Sequence, residues 1–496
     1  MPLIVKQDFV WEIFMNFRKR IIALGLLAVF LLTAVYYAHK GTLSAEKMKD
    51  ALSIPKETIH IWYTDEALTD YINCAAVNFN EQNDIRVVPV LTSGLEYLES
   101  INQASVEEKE MPDLYILSND ALEKAYLAGL ASEVVDADKI CTTDNYPGTA
   151  LKAVTYKDKI IGYPFYYETS VFLYNKTYID EVAKTEIEAE AEEVQTGEEQ
   201  TEAAKEEKDV SQEAINDKIE TVIPKTIDDI LKFADEYDAP EAVEAVFKWN
   251  VSDIFYNYFF VGNYMIVGGD TGDNTDNIDI YNQNTIDCLQ VYQSLNQFFS
   301  IDTKEVTYDS VLQDFMDGKI VFSVVTTDAI AKIEEAKKNG KFNFAYGVAT
   351  LPDVSDELQS RSLSVTNAVV VNGYSEKKEI ANQFAEFLAN DSVADLYKDS
   401  GKVASKLDVP YENSIVTSTM DEYKKSIPMP KMIETSNYWV QLEIAFTKIW
   451  SGEDVNAQLK QLSEQIMTQV TGTPYEEEKI VEPIEQATEE YIDEGM

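Results

Sequence analysis

The sequence predicts an α/β protein that follows a single membrane-spanning helix, and two patterns support this fold class. Residues 21–38 carry no charged side chain, and as a helix they would be about 27 Å long, close to the thickness of a bilayer core. From Glu57 onward, short apolar strand patterns alternate with helical patterns. This alternation is typical of a largely parallel sheet covered by helices.

Composition limits the possible functions. The chain has 496 residues, enough for two or more domains, and 88 acidic residues against 41 basic ones give a net charge of −47. A nucleic-acid partner needs a basic face that displaces counterions, so we expect none. Three widely spaced cysteines, Cys74, Cys141 and Cys288, and two histidines show no metal-ligand spacing. We therefore expect no metal, no cofactor, and cysteines that are buried free thiols.

The N-terminal pattern indicates an uncleaved, single-pass signal anchor in the cell membrane. A basic triplet precedes the apolar run, which places the N-terminus in the cytoplasm and the bulk of the chain outside the cell. Tyr36 and Tyr37 suit the outer membrane interface and disfavour cleavage, whereas the small residues Ala34 and Ala38 leave cleavage open. The predicted segments are a cytoplasmic N-terminus (1–20), a transmembrane anchor (21–38) and a spacer (39–56).

Acidic side chains follow two of the first predicted strands. Ligands of parallel α/β sheets bind beyond the carboxyl ends of the strands. Asp65 and Glu66 follow the first strand and Asp120 follows the third, so these three residues are candidate ligand contacts. The predicted elements of this region are strands at 58–62, 85–90 and 112–117 and helices at 70–82 and 121–129.

Aromatic residues surround a single carboxylate in the stretch from Ile160 to Lys176. Tyr166 and Tyr167 precede Glu168, and an apolar run follows it. Aromatic rings stack on the C–H faces of a sugar, and a carboxylate accepts its hydroxyl protons. The pattern therefore favours a sugar site, with a core strand that has one acid at its edge as the alternative.

Two segments break the globular pattern. Residues 181–208 contain eleven glutamates, three lysines and no aromatic residue. Such a segment has little to bury, so we predict a disordered or loosely helical insertion; a solvated helix is the alternative, because glutamate and alanine favour helices. The tail at 473–496 is acidic and poor in large apolar residues, and it is also predicted to be disordered.

The second half of the chain adds three candidates. Asp253 opens a run with five aromatic residues in eight positions, whose spacing indicates mainly core packing. Asp328 follows a predicted buried strand at 319–325, and solvated loop acids are the alternative for both residues. Trp439 begins a predicted helix that runs to Trp450, and a packed core indole is its alternative. The other predicted elements are a helix that Thr226 caps, helices at 307–316, 380–388 and 454–468, and strands at 344–351 and 368–371.

Several fragments, in this order and spacing, resemble the extracellular solute-binding proteins of ABC importers, in the sugar-binding group that includes the maltose-binding protein. The resemblance covers about residues 57–471, interrupted by the acidic insertion. The fragments are Tyr163-Pro164 through Glu168 to Leu173-Tyr174-Asn175-Lys176, Pro224-Lys225-Thr226, Phe315 to Phe322, Tyr346-Gly347-Val348 through Leu351-Pro352, and Met429-Pro430 followed by Ser436 to Trp439 and Ser451-Gly452.

The resemblance implies a two-lobe periplasmic-binding-protein-like (type II) α/β fold with three inter-lobe crossovers and the ligand between the lobes. The implied crossovers are near 167–170, 364–368 and 408–416. The implied lobes are lobe 1 (57–166 plus 369–408) and lobe 2 (170–363 plus 416–471).

The resemblance also assigns roles. It implies that Glu168 binds sugar hydroxyls, that Asp120 and the Asp65/Glu66 pair supply other polar contacts, and that Trp439 is a stacking ring. Leu117, Asp253 and Asp328 stand where the maltose-binding protein has stacking aromatics, and Ala121 replaces a basic contact. We therefore expect a more acidic site that suits a different saccharide, or a cationic or amino-sugar ligand, with Tyr166 and Tyr167 as replacement stacking residues.

These patterns predict a membrane-anchored receptor that captures a sugar or oligosaccharide and delivers it to the membrane subunits of an ABC permease. A ligand-sensing or glycan-binding surface receptor without transport is the alternative. A glycoside hydrolase that uses two carboxylates is a less favoured alternative. Pairs of acids are inevitable among 88 acidic residues and so do not indicate catalysis, and no nucleophile–base motif occurs. We expect a binding protein with no catalytic residues.

Overall fold

A computed structural model of the chain describes residues 57–107, 110–196, 211–299 and 301–481. The predicted cytoplasmic segment, the anchor at 21–38 and the spacer at 39–56 lie outside these ranges. Within the ranges, no helix combines the length and the apolar character that crossing a bilayer requires.

Fourteen strands occur in the described ranges, and ten of them belong to one sheet whose main path has the order β2-β1-β3-β12-β6-β10-β7. They are β1 (Glu57–Tyr63), β2 (Ile85–Leu91), β3 (Leu114–Ser118), β4 (Thr155–Tyr156), β5 (Lys159–Ile160), β6 (Tyr163–Asn175), β7 (Ala245–Phe247), β8 (Ile266–Val267), β9 (Ile278–Asp279), β10 (Ile320–Thr326), β11 (Tyr346–Ala349), β12 (Leu363–Val371), β13 (Val403–Ala404) and β14 (Ile427–Pro428).

Helices cover both parts of this sheet and carry most of the remaining chain. The α-helices of the described ranges are α1 (Thr69–Asn83), α2 (Tyr97–Glu107), α3 (Leu122–Leu127), α4 (Ala137–Ile140), α5 (Gly148–Val154), α6 (Lys176–Thr196), α7 (Gln212–Val222), α8 (Ile227–Glu236), α9 (Ile254–Asn257), α10 (Gln283–Phe299), α11 (Tyr308–Met316), α12 (Asp328–Lys338), α13 (Lys378–Glu386), α14 (Leu396–Ser400), α15 (Ser414–Lys425), α16 (Tyr438–Trp450) and α17 (Val455–Thr471).

Two long strands connect the two parts of the sheet. The first half of β6 pairs with β12, and its second half, from Ser170 to Tyr174, pairs with β10. β12 in turn pairs with β3 through residues 367–371. All three of these pairings are antiparallel, so the prediction of a largely parallel sheet is wrong for the centre of the molecule. The alternation of strands and helices in the sequence does not reveal that β6 and β12 run against their neighbours.

Three hydrophobic cores show how the chain divides. Two of them contain only residues from 59–166 and 368–409. The largest one is built mainly from 167–363 and 403–466, with Tyr146 and Ala150 added from helix α5 and the residues before it. Separate cores on either side of β6 and β12 give the fold its two lobes.

Local sequence signals explain where several helices begin. The Thr226 hydroxyl oxygen accepts a hydrogen bond from the Asp229 amide, and the Asp229 carboxylate accepts one from the Thr226 amide, which completes a capping box before α8. Thr307 caps α11 in the same way with Ser310. The aromatic run after Asp253 forms the short helix α9 and then a 3₁₀ turn, and most of its rings are buried.

The acidic insertion is helical as far as the structure describes it. Helix α6 continues through residues 181–196, which corrects the prediction of disorder there; residues 197–208 lie outside the described ranges. Glutamate and alanine have high helix propensity, and α6 also has a partner. The Lys218 ammonium of α7 lies 3.0 Å from a Glu186 carboxylate oxygen and 2.7 Å from one of Glu190.

The first part of the predicted disordered tail packs against lobe 2. Residues 474–481 have no regular secondary structure. The Ile480 amide donates to the Tyr281 hydroxyl at 2.9 Å, and the Ser463 hydroxyl donates to Glu477 at 2.6 Å. Residues 482–496 lie outside the described ranges.

All three cysteines are free thiols, as the sequence predicts, but their exposure differs. Cys141 and Cys288 are buried, and burial raises the pKa of each thiol to about 12. Cys74 is exposed on α1, so the prediction of burial is wrong for this residue.

Candidate functional site

An open pocket of about 610 Å³ lies at the carboxyl ends of β1 and β3. This is the edge of the sheet at which α/β proteins bind ligands. Loops supply one wall, and residues of the crossing strands β6 and β12 form the floor. The lining residues are Thr64, Asp65, Leu68, Gly94, Glu96, Tyr97, Leu98, Glu99, Ile116, Leu117, Ser118, Ala121, Lys124, Tyr166 and Asn367.

Strand alternation decides which side chains of β6 face this pocket. Successive residues of a strand point to opposite faces, so Tyr166 and Glu168 share one face and Tyr167 points away from it. Tyr166 lines the pocket. Tyr167 is fully buried in the large core, where its ring stacks on Tyr423 and its hydroxyl bonds to Thr419 at 2.7 Å. The structure therefore does not bring Tyr167 to the pocket.

The short strand β13 brings a lysine to the same place. Val403 pairs with Tyr167 in antiparallel register, which puts Lys402 across from Glu168. The Lys402 Nζ lies 3.1 Å from Glu168 Oε1 and 2.8 Å from Asp65 Oδ2. It also lies 5.4 Å from the centre of the Tyr166 ring, within the range of a cation–π contact. Lys402 thus joins three of the predicted site residues.

Electrostatics at this cluster favour the ion pairs. Burial would lower the pKa of Lys402, but the carboxylates of Glu168 and Asp65 outweigh burial and raise the pKa above its usual value. Burial raises the pKa of the neighbouring Tyr166 hydroxyl, and the same two carboxylates raise it further. At neutral pH Lys402 is therefore charged and the Tyr166 hydroxyl is protonated, and both lie beside the side chains of Asp65 and Glu168.

The other two acids of the first lobe lie apart from this cluster. Glu66 is exposed and lines a second surface pocket on the other side of Asp65, beside Lys398 and Asp399. Asp120 is exposed in a 3₁₀ turn, where it accepts a hydrogen bond from the Ser118 hydroxyl. Asp65 alone of the three is among the residues that line the pocket.

The two predicted acids of the second lobe have structural partners. Asp253 caps α9, and its Oδ1 accepts a hydrogen bond from the Phe255 amide at 2.9 Å. Asp328 Oδ1 accepts from the Tyr308 hydroxyl at 2.7 Å, and its Oδ2 lies 2.9 Å from the Lys332 ammonium.

These partners hold Asp328 in its charged form. Burial would raise its pKa, and hydrogen bonds from Lys332, Thr326 and Tyr308 outweigh burial, so the pKa lies below the usual aspartate value.

Tyr256 lies near two acids of the second lobe and near Glu168. Burial raises the pKa of its hydroxyl, and the charges of Asp253, Asp328 and Glu168 raise it further. The ring stacks on Tyr308 with centroids 5.4 Å apart. This tyrosine therefore lies among three of the predicted site residues.

Trp439 is half-buried at the start of α16. Its ring packs against Tyr258 and Tyr438, with centroid distances of 5.7 Å and 4.9 Å. One helical turn later, burial and the nearby Asp253 raise the pKa of Glu443. The indole thus packs on one side and is accessible on the other.

Sequence reasoning missed Lys402, Asn367 and Tyr256. Lys402 precedes the two-residue strand β13. A strand this short gives no sequence pattern from which its partner strand could be predicted. Sequence reasoning also missed Asn119, which is buried. Its side-chain amide donates to the Met429 carbonyl at 2.6 Å, and its side-chain oxygen accepts from the Thr366 amide. Within the described ranges, no group of three or more His, Cys, Asp or Glu residues could hold a metal ion.

Comparison with known proteins identifies relatives over most of the chain. A maltodextrin-binding protein of Bacillus subtilis (strain 168) is 21% identical over 434 residues, which cover 86% of this chain and 93% of the relative. An extracellular solute-binding protein from Staphylococcus aureus, solved in complex with maltose, matches with a TM-score of 0.66 and 18% identity over 84% of this chain and 98% of that chain.

Two further structures show the same fold. A maltose-binding periplasmic protein from Listeria monocytogenes, solved with maltose, has a TM-score of 0.64 and 22% identity over 85% of this chain and 100% of that chain. A cyclo/maltodextrin-binding protein, solved with maltotetraose, has a TM-score of 0.65 and 19% identity over 83% of this chain and 96% of that chain.

The family model described as bacterial extracellular solute-binding protein matches residues 75–425. Its members are binding proteins rather than enzymes, and they act in the extracellular or periplasmic space. The match confirms the resemblance drawn from the sequence fragments. Because the matched region is more than half of the chain, this protein belongs to the family of bacterial extracellular solute-binding proteins.

Proposed function

We propose that this protein is a membrane-anchored receptor that captures a sugar or oligosaccharide between its two lobes and delivers it to an ABC permease. One observation carries the proposal: the Tyr166 ring, the Glu168 carboxylate and the Lys402 ammonium meet beside the pocket at the carboxyl ends of the strands. An aromatic surface with a charged acceptor and a charged donor is the set of groups that a polyhydroxylated ring requires.

The two crossing strands suggest how binding is signalled. Glu168 lies on β6, which passes from one lobe to the other, while Asp65 belongs to the first lobe and Tyr256 to the second. A ligand that contacts both lobes binds the closed arrangement more tightly than the open one and shifts the population toward it. The closed lobes would then present the surface that a permease recognises.

We infer that the lobes follow the boundaries expected from the sequence, 57–166 plus 369–408 and 170–363 plus 416–471. The separate hydrophobic cores on the two sides of β6 support this division. Tyr146, Ala150 and Val403 depart from it, because all three pack in the core of the second lobe.

The relatives suggest the first ligands to test. Their solved complexes contain maltose or maltotetraose, so maltodextrins head the ligand panel. Leu117 and Ala121 line the pocket of this protein, in place of an aromatic and a basic contact. For this reason the panel also includes other neutral saccharides, amino sugars and small cations.

A thermal-shift screen of the full chain in detergent micelles tests the capture step. A ligand that binds only the folded state increases the free energy of unfolding, by about 2.7 kcal/mol at a ligand concentration of one hundred times Kd. The melting temperature therefore rises. We expect at least one saccharide to do so, and calorimetry then gives its Kd. A panel in which no saccharide shifts the melting temperature or releases heat would contradict the proposal.

Transport and anchoring need separate measurements. We expect cells that lack this protein to lose uptake of the labelled sugar that binds best, whereas intact uptake would favour a sensing receptor without transport.

For the anchor, we expect the mature protein to resist alkaline extraction from membranes and to retain residues 1–20 in its mass spectrum. A mature chain that begins after Ala38 would show cleavage instead.

A further inference from the structure

We propose that Lys402 determines specificity in this site: its ammonium fills the cation position between Asp65 and Glu168, so that the site reads two adjacent hydroxyls of a neutral sugar and rejects cationic sugars. This inference rests on the proposed function and deepens it. It chooses between the ligands left open by the residues that replace the family's aromatic and basic contacts, a different saccharide or a cationic or amino-sugar ligand, and favours the neutral saccharide.

The position of Lys402 is built into the fold. The pairing of β13 with β6 places it across from Glu168 on the same sheet face as Tyr166, and opposite charges at such cross-strand positions attract. Its side chain is 16% exposed, compared with 33% for Asp65 and 37% for Glu168. The ammonium therefore lies beneath the carboxylates, and the acids form the accessible edge of the cluster.

A count of donors and acceptors shows what remains for a ligand. Asp65 Oδ1 accepts from the Ala67 amide at 3.0 Å and Oδ2 contacts Lys402, so each oxygen has a partner. Glu168 Oε1 contacts Lys402, and no group of the described ranges donates to Oε2. An ammonium has three protons, and the two carboxylates use two of them.

This arrangement suits a pair of adjacent hydroxyls. A hydroxyl both donates and accepts, so one sugar hydroxyl can donate to Glu168 Oε2 while its neighbour accepts the third proton of Lys402. Both contacts are charge-assisted, and such hydrogen bonds are roughly twice as strong as neutral ones. Tyr166 is only 5% exposed but lines the pocket beside them, so it can add a small apolar contact to the same sugar.

A cationic sugar meets the opposite situation. Its ammonium would need the carboxylates that Lys402 already neutralises, and it would lie within a few ångströms of a second positive charge. In the second lobe, the Asp328 carboxylate is likewise already paired with Lys332, at 2.9 Å. Removing the Lys402 charge should therefore exchange one specificity for the other.

The test compares two ligands on four proteins by isothermal titration calorimetry, with the full chain in detergent micelles. The neutral ligand is the saccharide that binds the wild-type protein best in a screen headed by maltose, maltotriose and maltotetraose. The cationic ligand is the glucosamine trimer. The proteins are the wild type, Lys402→Met, Lys402→Arg and the control Lys139→Met, which removes a lysine that is 69% exposed and pairs with Asp136 away from the pocket.

We expect Lys402→Met to lower the affinity for the neutral sugar and raise that for the glucosamine trimer, so that their ratio changes at least about a hundredfold, or about tenfold in each direction. Lys402→Arg keeps the charge and the donors, and should retain the wild-type preference. Lys139→Met should bind both ligands as the wild type does. A merely structural role of Lys402 would weaken both ligands together and leave the ratio unchanged.

Each outcome has a defined meaning. An unchanged ratio in Lys402→Met, with a wild type that binds the neutral sugar, overturns the role of Lys402 and leaves the proposed function intact. A wild type that binds no neutral saccharide overturns the proposed function and this inference with it. If Lys402→Met does not fold, Lys402→Gln is measured instead. This variant keeps N–H donors without the charge, and we expect the same change in the ratio of the two affinities.

Discussion

The ring of Tyr167 stacks on that of Tyr423, with centroids 3.8 Å apart and planes within 1° of parallel. Tyr167 is a pocket candidate by sequence, yet this contact places it on the core face of β6. We expect Tyr167→Ala to lower the free energy of unfolding by about 3–5 kcal/mol, because a large buried ring leaves a cavity. Urea denaturation monitored by circular dichroism measures this change.

The conservative variant separates packing from binding. Tyr167→Phe keeps the stacked ring and removes the hydroxyl that bonds to Thr419, so we expect a loss of about 1 kcal/mol and unchanged sugar affinity. A tenfold weaker Kd in Tyr167→Phe would contradict the placement of this residue away from the ligand.

Glu168 is expected to contact the sugar directly. Glu168→Gln preserves the shape of the side chain and removes its charge, which weakens both the contact with Lys402 and the bond to a sugar hydroxyl. We expect at least about a tenfold increase in Kd for the best neutral saccharide, measured by calorimetry. Glu133→Gln, at an exposed acid that pairs with Lys159 outside the pocket, is the matched control. Equal Kd values for the two variants would remove Glu168 from the site.

Lys431 gives the protein a pH dependence in alkaline solution. Its buried ammonium donates to the carbonyls of Lys152, Thr155 and Thr271, which belong to distant parts of the chain. Burial lowers its pKa to about 8, although the charges of Asp273 and Glu123 oppose the decrease. Between pH 8 and the usual lysine pKa, about 10.4, the unfolded chain therefore binds more protons at this residue than the folded one.

Stability that depends on Lys431 should consequently rise with pH in this window. We expect the free energy of unfolding of the wild type, relative to Lys431→Met, to increase by about 2 kcal/mol between pH 7 and pH 10. Urea titrations of both proteins at a series of pH values measure this difference. A difference that stays constant or falls with pH would show that the ammonium is not buried as described.

Asp328 should stabilise the protein in neutral but not in acidic solution. Its pKa is lowered by contacts with Lys332, Thr326 and Tyr308 that outweigh burial. A carboxylate with a depressed pKa contributes stability above its unfolded pKa, about 3.9, and loses it as the pH falls through the folded value.

The corresponding variant is Asp328→Asn. We expect it to melt about 2–4 °C below the wild type at pH 7, for a loss of about 1 kcal/mol, and to approach the wild type below pH 3. Asp309→Asn, at a 90% exposed acid that lies 3.9 Å from the same Lys332, is the control. An equal melting-temperature difference at both pH values would show that the charge of Asp328 contributes nothing.

Most individual elements followed from local sequence signals. Short apolar patterns located β1, β2 and β10, and the N-cap threonine Thr226 located the start of α8. These signals act over a few residues and need no distant partner. Asp65 follows β1 and lines the pocket at the carboxyl end of that strand, and this position could be predicted because it depends only on strand direction.

The composition of the site was less predictable. The sequence offered two adjacent tyrosines, and alternation along β6 sends Tyr166 to the pocket and Tyr167 to the core. Which of the two faces the pocket depends on where the second lobe packs, and local pattern does not contain that information. Glu66 and Asp120 followed the right strands, but the turns after those strands direct both residues to exposed positions.

By itself, the sequence determined the α/β class, the order of most strands and helices, the acidic surface and the family of this protein, because each depends on composition or on residues close together in the chain. Tertiary structure alone decided that Glu168 is paired with a lysine. Lys402 is 234 residues from Glu168 in the chain, and only the pairing of β13 with β6 brings them within ion-pair distance. The pairing of these two charges is therefore a property of strand register, which no local stretch of the sequence specifies.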